Sequence, residues 1–262
     1  MEGKQQKHFV LIHGSCHGAW CWFKLQTLLE AAGHRVTVID FSAASGMDPK
    51  SLKDVPTFID YTLPLFEIME SIPPDEKVVL VGHSYGGINL AFAMDKYPQK
   101  ISVAVFVTAY MPDTVHRPSY VLEQYFKRYT MEYLLDTQTI YYGKPEDNRT
   151  AVLFGPKFMS TRLYQLSPPE DLNLAKTLVR PTSLFLDELS NSSPLSNEGY
   201  GSVKRAFIIC ASDKGIPKEF QLWLIKNFET PIVKEIKDAD HMAMISSPHK
   251  LCQYLLEIAN VF

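Results

Sequence analysis

Short, almost uninterrupted apolar runs recur along the chain, and stretches with apolar positions three or four apart fall between them. His8-Phe-Val-Leu-Ile12, Lys77-Val-Val-Leu-Val81, Ile101-Ser-Val-Ala-Val-Phe-Val107 and Arg205-Ala-Phe-Ile-Ile-Cys210 are the strongest, and they read as strands buried on both faces. Arg35-Val-Thr-Val-Ile-Asp40 and Ile232-Val-Lys-Glu-Ile236 are more mixed strands. Helical spacing is found from Trp20 to Ala32, where Gly33 supplies the stop, and between Val55 and Ser71, closed by Pro73-Pro74. It returns from Ile88 to Tyr97, around Lys218 to Asn227, and from about Pro248 to Asn260. Strands alternating with helices predict an α/β fold, a parallel sheet covered on both sides.

The alternation breaks from about Asp113 to Pro181, where Tyr, Pro and polar residues dominate and no comparable apolar strand occurs. So long a stretch does not fit a loop inside a compact domain. It reads as an inserted, mainly helical cap, residues 113–181, with Ser119 to Tyr133 its clearest helix. The core then comes from both ends of the chain, residues 1–112 and 182–262.

Composition narrows the function. The chain has 262 residues with 26 Lys+Arg against 29 Asp+Glu, a formal net charge of -3, and so lacks the basic surface with which proteins neutralise phosphates. Nucleic acid is not expected as a partner. Cys16, Cys21, Cys210 and Cys252 have no C-x-x-C spacing, and four cysteines in so long a chain do not form a secreted disulfide framework. The polar start of the chain shows no leader pattern, and no run of about 18 apolar residues occurs. The expectation is a soluble cytoplasmic protein with no membrane partner.

Gly82-His83-Ser84-Tyr85-Gly86 matches G-x-S-x-G directly after a strand and directly before a helix. In that context the glycines permit a sharp turn that lifts the Ser84 hydroxyl above the sheet, and the helix N-terminus points N–H groups at developing negative charge. A serine needs a base, which in this arrangement follows it in the order serine, acid, histidine. Of the eight histidines only His241 and His249 lie late enough. His249 follows Pro248 at the start of the last helix, the setting of a solvated first-turn residue. His241 lies in the loop after the last strand, where it can reach back across the sheet edge. Asp213, in Cys210-Ala-Ser-Asp213-Lys-Gly-Ile-Pro217, is placed to accept the Nδ1 proton of His241. Asp238 and Asp240 are rivals by proximity, better suited to orienting the His241 loop or facing solvent. Two N–H donors are needed for an oxyanion: Tyr85, after the nucleophile, and Ser15, in the glycine-punctuated turn His13-Gly14-Ser15-Cys16-His17-Gly18. No HExxH, dinucleotide fingerprint or zinc spacing is present, so neither a metal nor a cofactor is expected.

The segments HFVLIHGSCHGAWCW, GHSYGG, YPQKISVAVF, FGPKF, LVRPTSLF, GSVKR and DADHMAM together resemble the plant methylesterase family of α/β-hydrolases. That family takes in methyl salicylate and methyl jasmonate esterases, polyneuridine aldehyde esterase and the hydroxynitrile lyases. The resemblance covers essentially the whole chain. It implies the α/β-hydrolase fold, Ser84, Asp213 and His241 as catalytic residues, and Ser15 and Tyr85 as oxyanion donors. It also implies a substrate-binding, acid-side pocket lined by Gly14, Tyr110, Tyr125, Leu134, Phe154, Phe158, Leu184 and Met242, and a homodimer, which is common in the family. The lyases typically carry Thr, Glu and Lys where this chain has Gly14, His83 and Met242, so the resemblance favours an esterase over a lyase. A receptor that binds its ligand without turnover is a further alternative. KQQKHFVLIHG and SIPPDEKVVLVGHS look like the alkaloid-ester branch, whereas PSYVLEQY, LDTQ and LYQLSPPEDL look more like the salicylate and jasmonate esterases. Leu134 replaces a Trp found in some salicylate esterases, and Tyr85 adds a hydroxyl where Leu or Phe is usual. Both point to a bulky, partly polar methyl ester of a specialised metabolite rather than methyl salicylate, and the resemblance to the alkaloid-ester branch implies that a β-carbonyl product acid can then lose carbon dioxide.

Overall fold

The computed structural model describes residues 6–44, 51–144 and 149–262. Residues 1–5, part of the polar start noted above, lie outside them. Strands β1 (His8–Ile12), β2 (Arg35–Ile39), β3 (Val78–His83) and β4 (Ile101–Val107) come first. Then follow β5 (Gln138–Tyr142), β6 (Arg149–Leu153) and β7 (Thr182–Ser183), and the chain closes with β8 (Arg205–Cys210) and β9 (Ile232–Ile236). Six of these form one parallel sheet in the order β2-β1-β3-β4-β8-β9. The central strands β1, β3 and β8 are buried at every residue, while the edge strands β2 and β9 are partly exposed. This is the difference in apolar continuity visible along the chain.

The helices are α1 (Phe23–Ala31), α2 (Phe58–Ser71), α3 (Gly86–Lys96), α4 (Tyr120–Arg128), α5 (Pro156–Phe158), α6 (Pro169–Leu178), α7 (Leu186–Asn191), α8 (Lys218–Asn227), α9 (Ala243–Ser246) and α10 (Pro248–Ala259). From β1 the sheet grows one way to β2 and then the other way to β3 and β4. Right-handed crossovers therefore place α1 on one face and α2, α3 and α8 on the opposite one; α10 packs with α1, and α2 with α3. The reversal between β1 and β3 opens a crevice at the carboxyl ends of those two strands, where α/β sheets bind ligands. Thr57 caps α2 by accepting from the Asp60 N–H at 3.0 Å. Inside α2, Pro64 cannot donate to the Asp60 carbonyl, and the Ser42 hydroxyl bonds that oxygen instead at 2.9 Å.

The cap carries α4, α5 and α6, and beside these helices it holds strands that were not expected: β5, β6 and β7 form a three-stranded antiparallel sheet. β7 lies beyond residue 181, the expected end of the cap, and pairs Thr182 and Ser183 with Val152 and Ala151 of β6. Gln-Thr-Ile-Tyr-Tyr is largely exposed and Arg-Thr-Ala-Val-Leu buries only Ala151 fully, so neither carries a long apolar run to betray it. The expected helix from Ser119 to Tyr133 is also shorter. At Tyr129 the backbone turns extended (φ -119°, ψ 102°), and turns follow that bring the Tyr133 hydroxyl 2.5 Å from the Lys214 carbonyl. Likewise α1 is preceded by a 3₁₀ turn over Ala19–Trp22 rather than starting at Trp20.

Candidate active site

The turn after β3 places Ser84 in the left-handed region, φ 54°, which a residue with a Cβ rarely occupies. Its carbonyl accepts from Gly87 N–H at 3.1 Å and Tyr110 N–H at 3.0 Å, bonds that hold the strained turn in place. The neighbouring glycines make the turn possible. A Cβ at position 86 would lie 2.3 Å from the His13 carbonyl oxygen, so α3 could not start so close to β1 with any other residue. At position 14 a Cβ would lie 2.7 Å from the Cβ of Ser84. Gly14 therefore supports the serine from the side, and it does not line the cavity as expected.

Asp213 and His241 follow β8 and β9 and meet beside that turn. His241 Nδ1 donates to Asp213 Oδ2 at 2.7 Å, and Thr108 Oγ1 donates to the same oxygen at 2.5 Å. The other oxygen, Oδ1, accepts from the Gly215 and Ile216 N–H groups at 2.6 and 2.9 Å. Four donors thus fix a buried carboxylate in one orientation. With Nδ1 carrying the proton, the lone pair of His241 is on Nε2, at the far side of the ring, and His241 and Ser84 line one cavity. His83 Nε2 donates to the His241 carbonyl at 2.8 Å, and burial holds the His83 ring well below the ordinary histidine pKa, so this bond is kept by a neutral ring. Of the rival acids, Asp238 is exposed. Asp240 is buried and accepts from Met242 N–H, Leu166 N–H and the Ser167 hydroxyl, each at 2.9 Å, which ties the His241 loop to the cap. His249 is exposed in the first turn of α10.

Among the described residues neither the Ser15 nor the Tyr85 N–H donates to a protein acceptor. Both lie at the sheet's carboxyl edge, and both residues line the cavity. The Ser15 loop is fastened from behind by His17, whose Nδ1 donates to the Ser15 carbonyl at 2.8 Å and whose Nε2 accepts from Tyr164 Oη at 2.7 Å. Burial holds the His17 pKa down to about 3, so this bridge is neutral. Unfolding restores an ordinary histidine, with a pKa of 6.5. The unfolded chain therefore takes up a proton that the native one refuses, and stability contributed at His17 is complete above about pH 6.5 and lost as pH falls towards 3. In urea titrations between pH 7.5 and 5, His17→Gln is expected to show a flatter loss of stability than wild type, by up to ~1.4 kcal/mol per pH unit. Equal slopes in the two proteins would show that His17 does not titrate in this way.

The cavity over Ser84 holds about 60 Å³. Tyr110, Tyr125, Leu134, Phe154, Phe158 and Leu184 line it together with Ser84, Ser15, Tyr85 and His241, whereas Met242, like Gly14, does not. Met242 is fully buried beneath the His241 loop, because the bond of its N–H to Asp240 turns the chain inward there. The Tyr85 hydroxyl does not face a ligand either. It donates to the Leu184 carbonyl at 2.8 Å and ties the serine turn to the segment after β7. Leu122 and Phe126 also line the cavity and could have been found from their spacing of four on the helix that carries Tyr125. Val152 and Thr137 belong to the cap sheet and the turn before it, and the sequence carries no signal for them. Thr108 is the significant omission, although its place right after the apolar run of β4 puts it at the same sheet edge as Asp213.

Among the described residues no cluster of three or more His, Cys, Asp or Glu could hold a metal ion, and no helix is long and apolar enough to cross a membrane. All four cysteines are free and buried.

This sheet, with a serine turn after β3 and a cap inserted between β4 and β8, matches the Alpha/beta hydrolase family over residues 9–253, and the chain belongs to that family. Its similarities are to plant methylesterases, a group of carboxylic ester hydrolases, and its own class is the same. It is 58 % identical to salicylic acid-binding protein 2 of Nicotiana tabacum, over 99 % of both chains. It is 53 % identical to methylesterase 1 of Arabidopsis thaliana, over 100 % of this chain and 99 % of that one. The crystal structure of polyneuridine aldehyde esterase superposes with a TM-score of 0.95 at 52 % identity, over 97 % of this chain and 100 % of the other.

Proposed function

We propose that the protein is a serine esterase that hydrolyses the methyl ester of a plant specialised metabolite, with Ser84 as nucleophile, His241 as base and Asp213 as orienting acid. The observation that carries this reading is the 2.7 Å bond from His241 Nδ1 to a carboxylate fixed by three further donors, in the wall of the cavity that Ser84 also lines. Ser84 Oγ attacks the ester carbonyl while His241 Nε2 takes its proton. The Ser15 and Tyr85 N–H groups, which have no protein acceptor among the described residues, stabilise the oxyanion. His241 returns the proton to the methoxy group and methanol leaves. Water then attacks the acyl-serine by the same route and frees the acid. Tyr110, Tyr125, Leu134, Phe154, Phe158 and Leu184 surround the acid part, and no metal or cofactor enters any step. A product with a carbonyl β to the new acid would then lose carbon dioxide without further catalysis.

The uncharged, fully buried Met242 after His241 argues against a lyase that must hold a cyanide anion. The 52 % identity with polyneuridine aldehyde esterase, together with Leu134 in the pocket wall, supports a bulky alkaloid-type ester. The 58 % identity with the tobacco salicylic acid-binding protein favours a second reading, the methyl ester of a single-ring acid such as salicylate. Methanol release from a panel of methyl esters, from methyl salicylate and methyl jasmonate to indole-alkaloid β-carbonyl esters, separates the two. The alkaloid-type ester is expected to give the highest kcat/KM. Binding without methanol from any member would make the protein a receptor instead.

A further inference from the structure

We infer that the acid part of the substrate is elongated, passes through a throat in the cap into a second chamber, and presents a carbonyl or hydroxyl oxygen to Thr137 on the way. This rests on the esterase reading above and specifies the kind of ester. The cavity of about 60 Å³ beside Ser84 offers, at roughly 10–15 Å³ for each water-sized group, room for a methyl ester and only a few atoms of its acid. Next to it lies a chamber of about 520 Å³. Phe126, Leu134, Thr137, Val152 and Leu184 line both spaces and so form the passage between them. Four of the five are apolar, which favours a hydrocarbon segment there. The fifth, Thr137, has a buried hydroxyl with no hydrogen-bond partner among the described residues. A buried hydroxyl left unpaired is costly, and an oxygen on a substrate threading the passage would pair it. Beyond the throat the wall is mixed, with Met131, Phe185 and Leu186 facing the same space as Arg149, Asp187 and Glu188, surroundings suited to an apolar body that also carries polar groups.

The test uses methyl butanoate, methyl 8-phenyloctanoate, and four derivatives of the latter with a single ketone at carbon 3, 4, 5 or 6. The expected result is a kcat/KM at least tenfold higher for the phenyloctanoate than for the butanoate. One ketone position should gain about three- to tenfold over the plain ester, the range of one ordinary hydrogen bond. That preference, read as a ratio within each protein so that any general change in activity cancels, should fall to about one in Thr137→Val and Thr137→Ala and return in Thr137→Ser. A preference for the butanoate, equal rates for all ketones, or a ketone preference that survives both Thr137→Val and Thr137→Ala would overturn the inference. Complete loss of turnover in both variants would overturn it too, since Thr137 would then serve the reaction itself. If wild type releases no methanol from any ester, it is the esterase reading that fails.

Discussion

Ser84→Ala is expected to lower kcat on the best methyl ester by on the order of 10⁶, the loss seen when a serine hydrolase is deprived of its nucleophile. Alanine keeps the Cβ, so the strained turn at φ 54° and the two bonds to the Ser84 carbonyl remain. Among the described residues the hydroxyl itself bonds no protein group, so its removal leaves no partner unpaired. Thermal stability should therefore stay within about 0.5 kcal/mol of wild type, as for a substitution that disturbs no packing. KM should change little, because the Ser15 and Tyr85 N–H groups and the aromatic walls still bind the ester. The measurement is methanol release under saturating substrate, alongside a melting curve. A variant that melts like wild type and keeps a tenth or more of its rate would remove Ser84 from the nucleophile's role.

The parts of the fold that could be read in advance are those fixed by burial on two faces. β1, β3, β4 and β8 are nearly continuous apolar runs because helices cover both sides of them, and no polar alternation interrupts the signal. The serine turn was legible for a different reason: a Cβ at position 86 would lie 2.3 Å from the His13 carbonyl oxygen, so sterics require glycine there, and at position 82 a Cβ would press on Leu90 at 3.0 Å. Asp213 and His241 could be placed because a parallel sheet brings the ends of β8 and β9 to the same edge as β3. The cap sheet was hidden because β5 is largely exposed and β6 only half-buried, with Ala151 alone buried between them, too little to impose a pattern. Gly14 and Met242 show a further limit. Both are adjacent in sequence to a residue of the site and neither lines the cavity: Met242 is buried under the His241 loop, and Gly14 lies against the side of Ser84, where a Cβ would be 2.7 Å from the serine Cβ. In Thr108 the opposite happens, since a residue with no motif to mark it is carried to Asp213 by the pairing of β4 with β8.

Asp213→Asn is expected to lower kcat by about 10⁴, by analogy with the same change in a serine protease triad. The hydrogen-bond arrangement gives the reason. Two backbone donors, Gly215 N–H and Ile216 N–H, point at Oδ1 and have no freedom to reverse, so the asparagine must set its carbonyl oxygen there. Its amide nitrogen then occupies the position of Oδ2, facing the Thr108 hydroxyl and His241 Nδ1. Thr108 can rotate its hydroxyl to accept. His241 can accept only by moving its proton from Nδ1 to Nε2, which leaves no lone pair facing Ser84. The ring stays in place and the base is lost, so kcat should fall while KM and the melting temperature change little. Nitrogen NMR of the imidazole provides a separate check, with the Nδ1–H tautomer expected in wild type and the Nε2–H tautomer in the variant. Asp240→Asn is the control. Asp240 accepts from three donors that belong to the His241 loop and the cap, and touches neither ring nitrogen, so the change should cost stability without reversing the tautomer. If Asp240→Asn instead gave the greater loss in kcat with the Nδ1 proton displaced, Asp240 and not Asp213 would be the acid that orients the base.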